Sequence, residues 1–214
     1  VDPNVFQAQK GTSTVMLNVV SAQAVNAVAP IRVLINSREP DQRGTFVNVP
    51  GTLVDAIADP VRDRYYILRQ DQNQVLVFDA SNNTQIGTLR TYNVPSAMAI
   101  TLDKRYLLVG HYDSQTIAVY DLETLQAMPY ISVEAGAGNT VHSLAVSNKA
   151  ILATSTDFQG KGHVLKIDFS ARSATQLATL GIFQNTIATD AVVVASSNGA
   201  KVLVAGSDGQ GSKS

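Results

Sequence analysis

One pattern recurs along this chain and limits its fold more than any other feature. Gln74-Val75-Leu76-Val77-Phe78-Asp79, Thr116-Ile117-Ala118-Val119-Tyr120-Asp121 and His163-Val164-Leu165-Lys166-Ile167-Asp168 are each an apolar run that closes on an aromatic residue or Ile and then Asp. Their aspartates stand 42 and 47 residues apart. A second apolar run precedes each: Tyr65–Leu68, Tyr106–Gly110 and Ile151–Thr154, with a further copy at Val202–Gly206. Before that comes a run of small and apolar residues: Asp55–Ala58, Ala97–Ile100, Ser143–Val146 and Ala191–Val194. Polar turns such as Asp59–Asp63 and Leu102–Arg105 separate these two runs. A fourth run follows the third at Gln85–Leu89, Met128–Val133 and Thr175–Leu180.

Runs this short, bounded by turn residues, read as strands. Four strands in a unit of 42–47 residues is the signature of a propeller blade. The spacing leaves no room for the helical crossover that a parallel sheet needs. Alanine and serine in the first strand suit the innermost position, where blades crowd the axis. The fold class expected is therefore all-β, a β-propeller built from four-stranded antiparallel blades, with about 3.5–5 blades in the chain. A β-sandwich with coincidental internal similarity is the competing reading.

Residues 1–50 fit the repeat poorly. Ser13–Val20 and Ile31–Ile35 read as strands, Ser37–Gly44 as a turn, and Thr45–Val49 as a strand leading into the first full blade. The expected organisation is a β-strand segment over 1–48, blades over 49–208 and a disordered tail over 209–214. The first segment either closes the propeller with the strands near Val192 and Val202 or ends a preceding β module. An open arc leaves apolar faces and sheet edges bare, so closure, oligomerisation or further chain is expected. A fragment of a longer protein is slightly favoured.

Composition excludes several functions. With 16 Lys+Arg against 17 Asp+Glu, the chain lacks the positive field of a nucleic-acid binder. No apolar run reaches the length of about 18 residues that spans a membrane as a helix. The absence of Cys rules out disulfides and thiolate metal sites.

Residues 97–110, followed by Asp113–Asp121, resemble the YVTN-type repeat of bacterial seven-bladed propellers. The resemblance covers about residues 51–208. It implies a bacterial or archaeal protein working outside the cytoplasm, whether periplasmic, secreted or at the cell surface, and it says little about activity. The chain departs from that family in size, with three full copies of the repeat and two strands of a fourth.

Each second strand is followed by an aspartate: Asp71, Asp113, Asp157 and Asp208. In a propeller these turns share a rim with the entries to the first strands, and that rim is where ligands usually bind. The aspartates could ring a cation or a basic partner, but carboxylates in such turns more often accept backbone N–H bonds. The three histidines, His111, His142 and His163, fall on separate repeats. They lack the close spacing of metal ligands, and core or loop roles suit them better. His111 is expected in a rim loop with Tyr112 and Asp113, and His142 near the axis. Gly136–Asn139 reads as a flexible blade connection. Tyr65, Tyr66, Tyr92, Tyr106, Tyr112, Tyr120 and Tyr130 could form a stacking platform but at strand positions read more often as packing between blades, and Arg62, Arg64, Arg69, Arg90 and Arg105 as a solvated face. No nucleophile elbow or phosphate-binding glycine pattern is present.

The function expected is a non-catalytic binding propeller. Its ligand-binding candidates are Asp71, Asn73, His111, Tyr112, Asp113, His142 and Asp157. No catalytic residue, metal or cofactor is assigned. The partner expected is a protein or polysaccharide, with no nucleic acid, and with further copies or further domains of a longer chain. The alternative is a propeller enzyme, a lactonase or quinoprotein-like oxidoreductase, with its site at the channel mouth.

Overall fold

The structure is a computed structural model that describes residues 11–18, 30–37, 46–134 and 140–206. The chain divides into two compact units, Val1–Val49 and Pro50–Ser214. Among the described residues every regular element is a strand, and no helix is long and apolar enough to cross a membrane.

In the first unit, β1 (Gly11–Leu17) and β2 (Ile31–Ser37) form an antiparallel pair, Gly11 opposite Ser37 and Leu17 opposite Ile31. Residues 46–50 form no strand, so the strand expected at 45–49 is absent from its described part. Pro50 and Gly51 follow it, and Pro has no N–H to donate to a ladder.

The second unit is a partial β-propeller. Its first blade runs β3 (Leu53–Ala58), β4 (Arg64–Arg69), β5 (Gln74–Asp79) and β6 (Thr84–Arg90), each strand antiparallel to the next. The second blade repeats this order with β7 (Pro95–Ile100), β8 (Tyr106–His111), β9 (Thr116–Asp121) and β10 (Gln126–Val133). The third has β11 (Thr140–Val146), β12 (Ile151–Thr156), β13 (Gly162–Asp168) and β14 (Ser173–Gln176). A fourth sheet holds two strands, β17 (Val192–Ala195) and β18 (Val202–Ala205), after a small hairpin of β15 (Thr179–Leu180) and β16 (Phe183–Gln184). The third outer strand thus stops at Gln176, short of the expected 175–180, and Thr179–Leu180 turns back to pair with β16. Asn185 fixes this departure: its side chain is bonded to Val164 N, Val164 O and Leu177 O, holding the returning chain against β13.

The innermost strands β3, β7, β11 and β17 lie side by side in that order. Alternation along each strand sends successive side chains to opposite faces of the blade, and both faces of the second blade are buried. Leu107 and Val109 join Tyr66, Leu68, Val75 and Val77 of the first blade in one core. Leu108, Ala97 and Ala99 join Val141, Leu144, Ala153 and Leu165 of the third in another. A sandwich would bury one face of each sheet. Here a single sheet divides two cores, as stacked blades require.

Two features were not evident from the repeat. Each full inner strand carries a β-bulge at the same place, with Val54, Ser96 and His142 as the extra residues. A side chain in or next to each bulge reaches the next inner strand. Asp55 Oδ2 accepts from Met98 N at 2.7 Å, Ser96 Oγ donates to Val141 O, and Ser143 Oγ meets both Val193 N and Val193 O at 3.2 Å. In addition, β10 pairs in parallel with β14 through Ser132–Ser173 and Val133–Ala174. The β9–β10 register shifts between Met128 and Ile131, across Pro129, whose missing N–H makes a break in the ladder cheap.

The arginines at 62 and 64 also differ from the solvated face expected. Arg62 bonds to Glu123 and Lys104 O, and Arg64 to Leu122 O, so both span from the first blade to the second.

Candidate functional site: a cross-braced rim with exposed tyrosines

Turn chemistry places the candidates. At one end of the blades lie the β4–β5 turn, the β6–β7 connection and the β8–β9 turn, and hydrogen bonds join them. Asn73, in the left-handed region at φ 51°, accepts at its side-chain oxygen from Val94 N at 3.0 Å and at its carbonyl from Thr91 N at 2.9 Å. Val94 O in turn accepts from Tyr112 N at 2.7 Å. Val94 itself has φ 50°, an outlier for a β-branched residue. Such a conformation persists where the surroundings over-determine it, and here both of its backbone polar groups are engaged.

This bracing fixes two exposed aromatic rings, Tyr92 and Tyr112. Tyr92 stands edge-on to His111 with centroids 5.4 Å apart and to Tyr130 at 6.0 Å. Tyr112 stands edge-on to His142 at 5.0 Å. Edge-to-face contacts of this kind stabilise ring orientation by about 0.5–1.5 kcal/mol beyond area burial.

His111 is not in the rim loop where it was expected. It ends β8, and its ring is fully buried. Nδ1–H donates to Thr116 O at 3.0 Å, while Nε2 faces Thr91 Oγ1 and accepts from Tyr92 N at 3.2 Å. Both nitrogens are satisfied in a neutral ring. Desolvation lowers its pKa to about 4, against the smaller opposing effect of the Thr116 bond. His111 therefore supports the rim from beneath. His142 occupies the third bulge, with Nε2 at 3.0 Å from Thr140 Oγ1 and 2.7 Å from Thr156 Oγ1. Burial also lowers its pKa.

The aspartates divide. Asp71 accepts from Thr52 N at 2.9 Å and pairs with Arg69 at 2.9 Å, and these contacts, the Arg69 bond first, hold its carboxyl at about 2. Asp157 accepts from Gln159 N and Lys161 N and pairs with His163 at 2.8 Å. Both shape their turns. Asp113 is exposed beside Tyr112. Asp208 lies outside the described residues, as does the 136–139 connection. Asp79, Asp121 and Asp168, at the ends of the third strands, likewise accept N–H bonds from the turns they open.

The rim thus gathers Asn73, Tyr112, Asp113 and His142, with Asp71 and Asp157 in its turns and His111 underneath. Sequence reading took Tyr92 with the other tyrosines as packing between blades, whereas the structure leaves it exposed in a blade connection. Among the described residues, no three His, Asp or Glu side chains come together to hold a metal ion. A cleft of about 450 Å³ opens away from these residues, between turns of the second and third blades. Leu102, Tyr106, Ile151 and Phe169 line it, with Asp103 and Lys149 at its polar side.

No protein-family model matches the chain, and no curated protein matches it. Solved structures do. The chain is similar to the structure of U3-55K and to the crystal structure of the RRP9 WD40 repeats, each at 16% identity and a TM-score of 0.57. Each match covers 75% of this chain, and 47% and 46% of those chains respectively. The chain thus spans about half the length of these solved propellers, and the likeness concerns the fold.

Proposed function

We propose that the chain is a binding propeller that engages a protein or polysaccharide across the rim carrying Tyr92 and Tyr112. The observation that carries this reading is the bracing of two exposed aromatic rings on loops tied through Asn73 and Val94. Rigid tyrosines give a large contact area with little side-chain entropy to lose, and a tyrosine carries a hydroxyl that can add a polar contact. The WD40 fold of the structural neighbours supports a scaffold role. By the resemblance of its repeat, we place the protein in the YVTN type, working outside a bacterial cytoplasm, with residues 1–48 as a separate β segment and residues 49–208 as the blades.

The test is a screen of the purified chain against displayed peptides and a glycan array, repeated with variants. Tyr112→Ala with Tyr92→Ala weakens the captured ligand at least about tenfold, as loss of an aromatic anchor does; because the rings also contact His111, Tyr130 and His142, melting is expected to fall and binding is compared at a temperature where both proteins are folded. Lys149→Glu, at the opposite cleft, leaves affinity intact. Unaltered binding by the tyrosine variant, or loss through Lys149→Glu, places the ligand elsewhere. His111 is unsuitable for this test because its replacement opens a buried, hydrogen-bonded site. The enzymatic alternative requires a bound metal or quinone. Metal analysis and an absorbance spectrum of the purified protein distinguish it.

A further inference from the structure

We infer that the cleft between the second and third blades is a docking site for an acidic segment of a partner protein, which seats an apolar side chain in the cleft and sets its carboxylates against the cations around it. A comparison of two blade junctions shows why the cleft is there. Between the first and second blades, Arg62 donates to Lys104 O at 3.0 Å and Arg64 to Leu122 O at 3.1 Å, and Leu122 is fully buried. Arg64 stands opposite Asp79 and Tyr106 opposite Asp121, so Tyr106 takes the place of Arg64 at the next junction. Phe169 follows Asp168 there as Leu122 follows Asp121. Tyr106 packs its ring against Phe169, with centroids 5.1 Å apart, and both rings are only half-buried. The turn facing them is also shorter: six residues separate the facing pair Ile100 and Leu107, but four separate Val146 and Ile151. The core between these two blades is therefore left open at the end of the blades away from the tyrosine rim.

The lining and its charges select the occupant. Leu102, Val146, Ile151 and Ile167 line the cleft with the two rings, and its volume is about 450 Å³. A largely apolar cavity with a few polar groups at its side suits an apolar side chain with a polar neighbour. Lys149 lines the cleft, the Arg105 guanidinium lies 5.2 Å from the centre of the Tyr106 ring, and that of Arg172 lies 4.3 Å from the centre of the Phe169 ring. Among the described residues the Lys149 ammonium has no partner, and Arg172 Nη1 is a buried donor without an acceptor. Buried donors are nearly always paired in a folded chain. The acids nearby are engaged. Asp121 pairs with Arg105 at 3.3 Å, Asp103 Oδ1 accepts from Thr101 Oγ1 and Arg105 N, and Asp168 Oδ1 accepts from Ser170 N and Ala171 N. The unmet groups are thus cationic donors, and carboxylates meet them with charge-assisted bonds.

The experiment titrates the full 214-residue chain with three fluorescently labelled peptides, Glu-Glu-Leu-Phe-Glu-Glu, Lys-Lys-Leu-Phe-Lys-Lys and Glu-Glu-Ser-Ser-Glu-Glu, read by anisotropy and by methyl NMR shifts. The first peptide is expected to bind and to shift the methyls of Leu102, Val146, Ile151 and Ile167. The other two are expected to bind at least about tenfold more weakly, one for want of charge complementarity and one for want of an apolar anchor. Lys149→Glu is expected to weaken the first peptide at least about tenfold and Lys149→Arg to retain it. Lys149 is exposed, so both variants are expected to keep the circular dichroism spectrum of the unsubstituted chain. Tyr92→Ala with Tyr112→Ala is expected to leave this binding unchanged, which separates the cleft from the rim. Equal binding of the lysine peptide, or full affinity in Lys149→Glu, overturns the acidic partner. Equal binding of the serine peptide overturns the apolar anchor. No shift at the four cleft methyls, or a shift at Val94 alone, overturns the cleft as the site.

Discussion

A neutral imidazole sealed beneath the rim is a liability in acid. The folded pKa of His111 is about 4, below its ordinary 6.5, because burial disfavours the cation. Between those values the unfolded chain binds the additional proton, so stability is whole above pH 6.5 and falls as the pH drops towards 4. The full shift corresponds to ~3 kcal/mol. His142, also lowered by burial, adds to the same slope. Asp71, Asp121 and Asp157 are held below 3.8, so their contribution is lost only as the pH falls below that value. Melting temperatures followed from pH 7.5 to 4.5 are expected to fall less steeply for His111→Gln than for the unsubstituted chain, although the variant starts lower. Parallel slopes would show that His111 is not the buried proton acceptor described.

At the level of strands and their junctions, the second strand of one blade approaches the innermost strand of the next so closely that residue size decides stability. A Cβ on Gly110 would stand 2.5 Å from Val141 Cγ1, across the junction of the second and third blades, whereas one on Gly87 would meet Val77 at an ordinary 3.6 Å. Gly110→Ala is therefore expected to cost ~1–3 kcal/mol through overpacking. Gly87→Ala is expected to be neutral or to stabilise by up to ~1 kcal/mol, because it removes backbone freedom from the unfolded chain. Urea denaturation of the two variants checks the contrast, and equal costs would contradict the tight junction.

Strands and blade order were legible in the sequence because apolar runs and turn residues recur together. The bulges at Val54, Ser96 and His142 were not, since an extra residue leaves no mark on an alternating pattern. Nor was the β10–β14 pairing, which joins two outer strands of different blades at Ser132–Ser173 and Val133–Ala174. For the rim, Asn73 and Tyr112 lie in the turns that the repeat marks out, whereas His142, expected before the first strand, lies within β11 as its bulge residue. Sequence reading misplaced His111 because the last residue of a strand and the first of a turn look alike until burial is known. It read Tyr92 as packing between blades, because neither the bond from Tyr92 N to the buried His111 Nε2 nor the one from Thr91 N to Asn73 O, which hold that connection at the rim, shows in the sequence.

At the scale of the whole second unit, the claim beneath all the others is radial stacking, with each complete inner blade buried on both faces. Two neighbouring residues, Leu107 and Leu108, report it directly, because they point into different cores. Methyl–methyl NOE measurements on the leucine- and valine-labelled protein provide the test. The account predicts that Leu107 contacts Leu68, Val75 or Val77 and that Leu108 contacts Val141, Leu144 or Leu165, with no crossing between the two sets. NOEs placing Leu107 beside Leu165, or showing Leu107 facing solvent, would mean one shared core between two layers, and would contradict it.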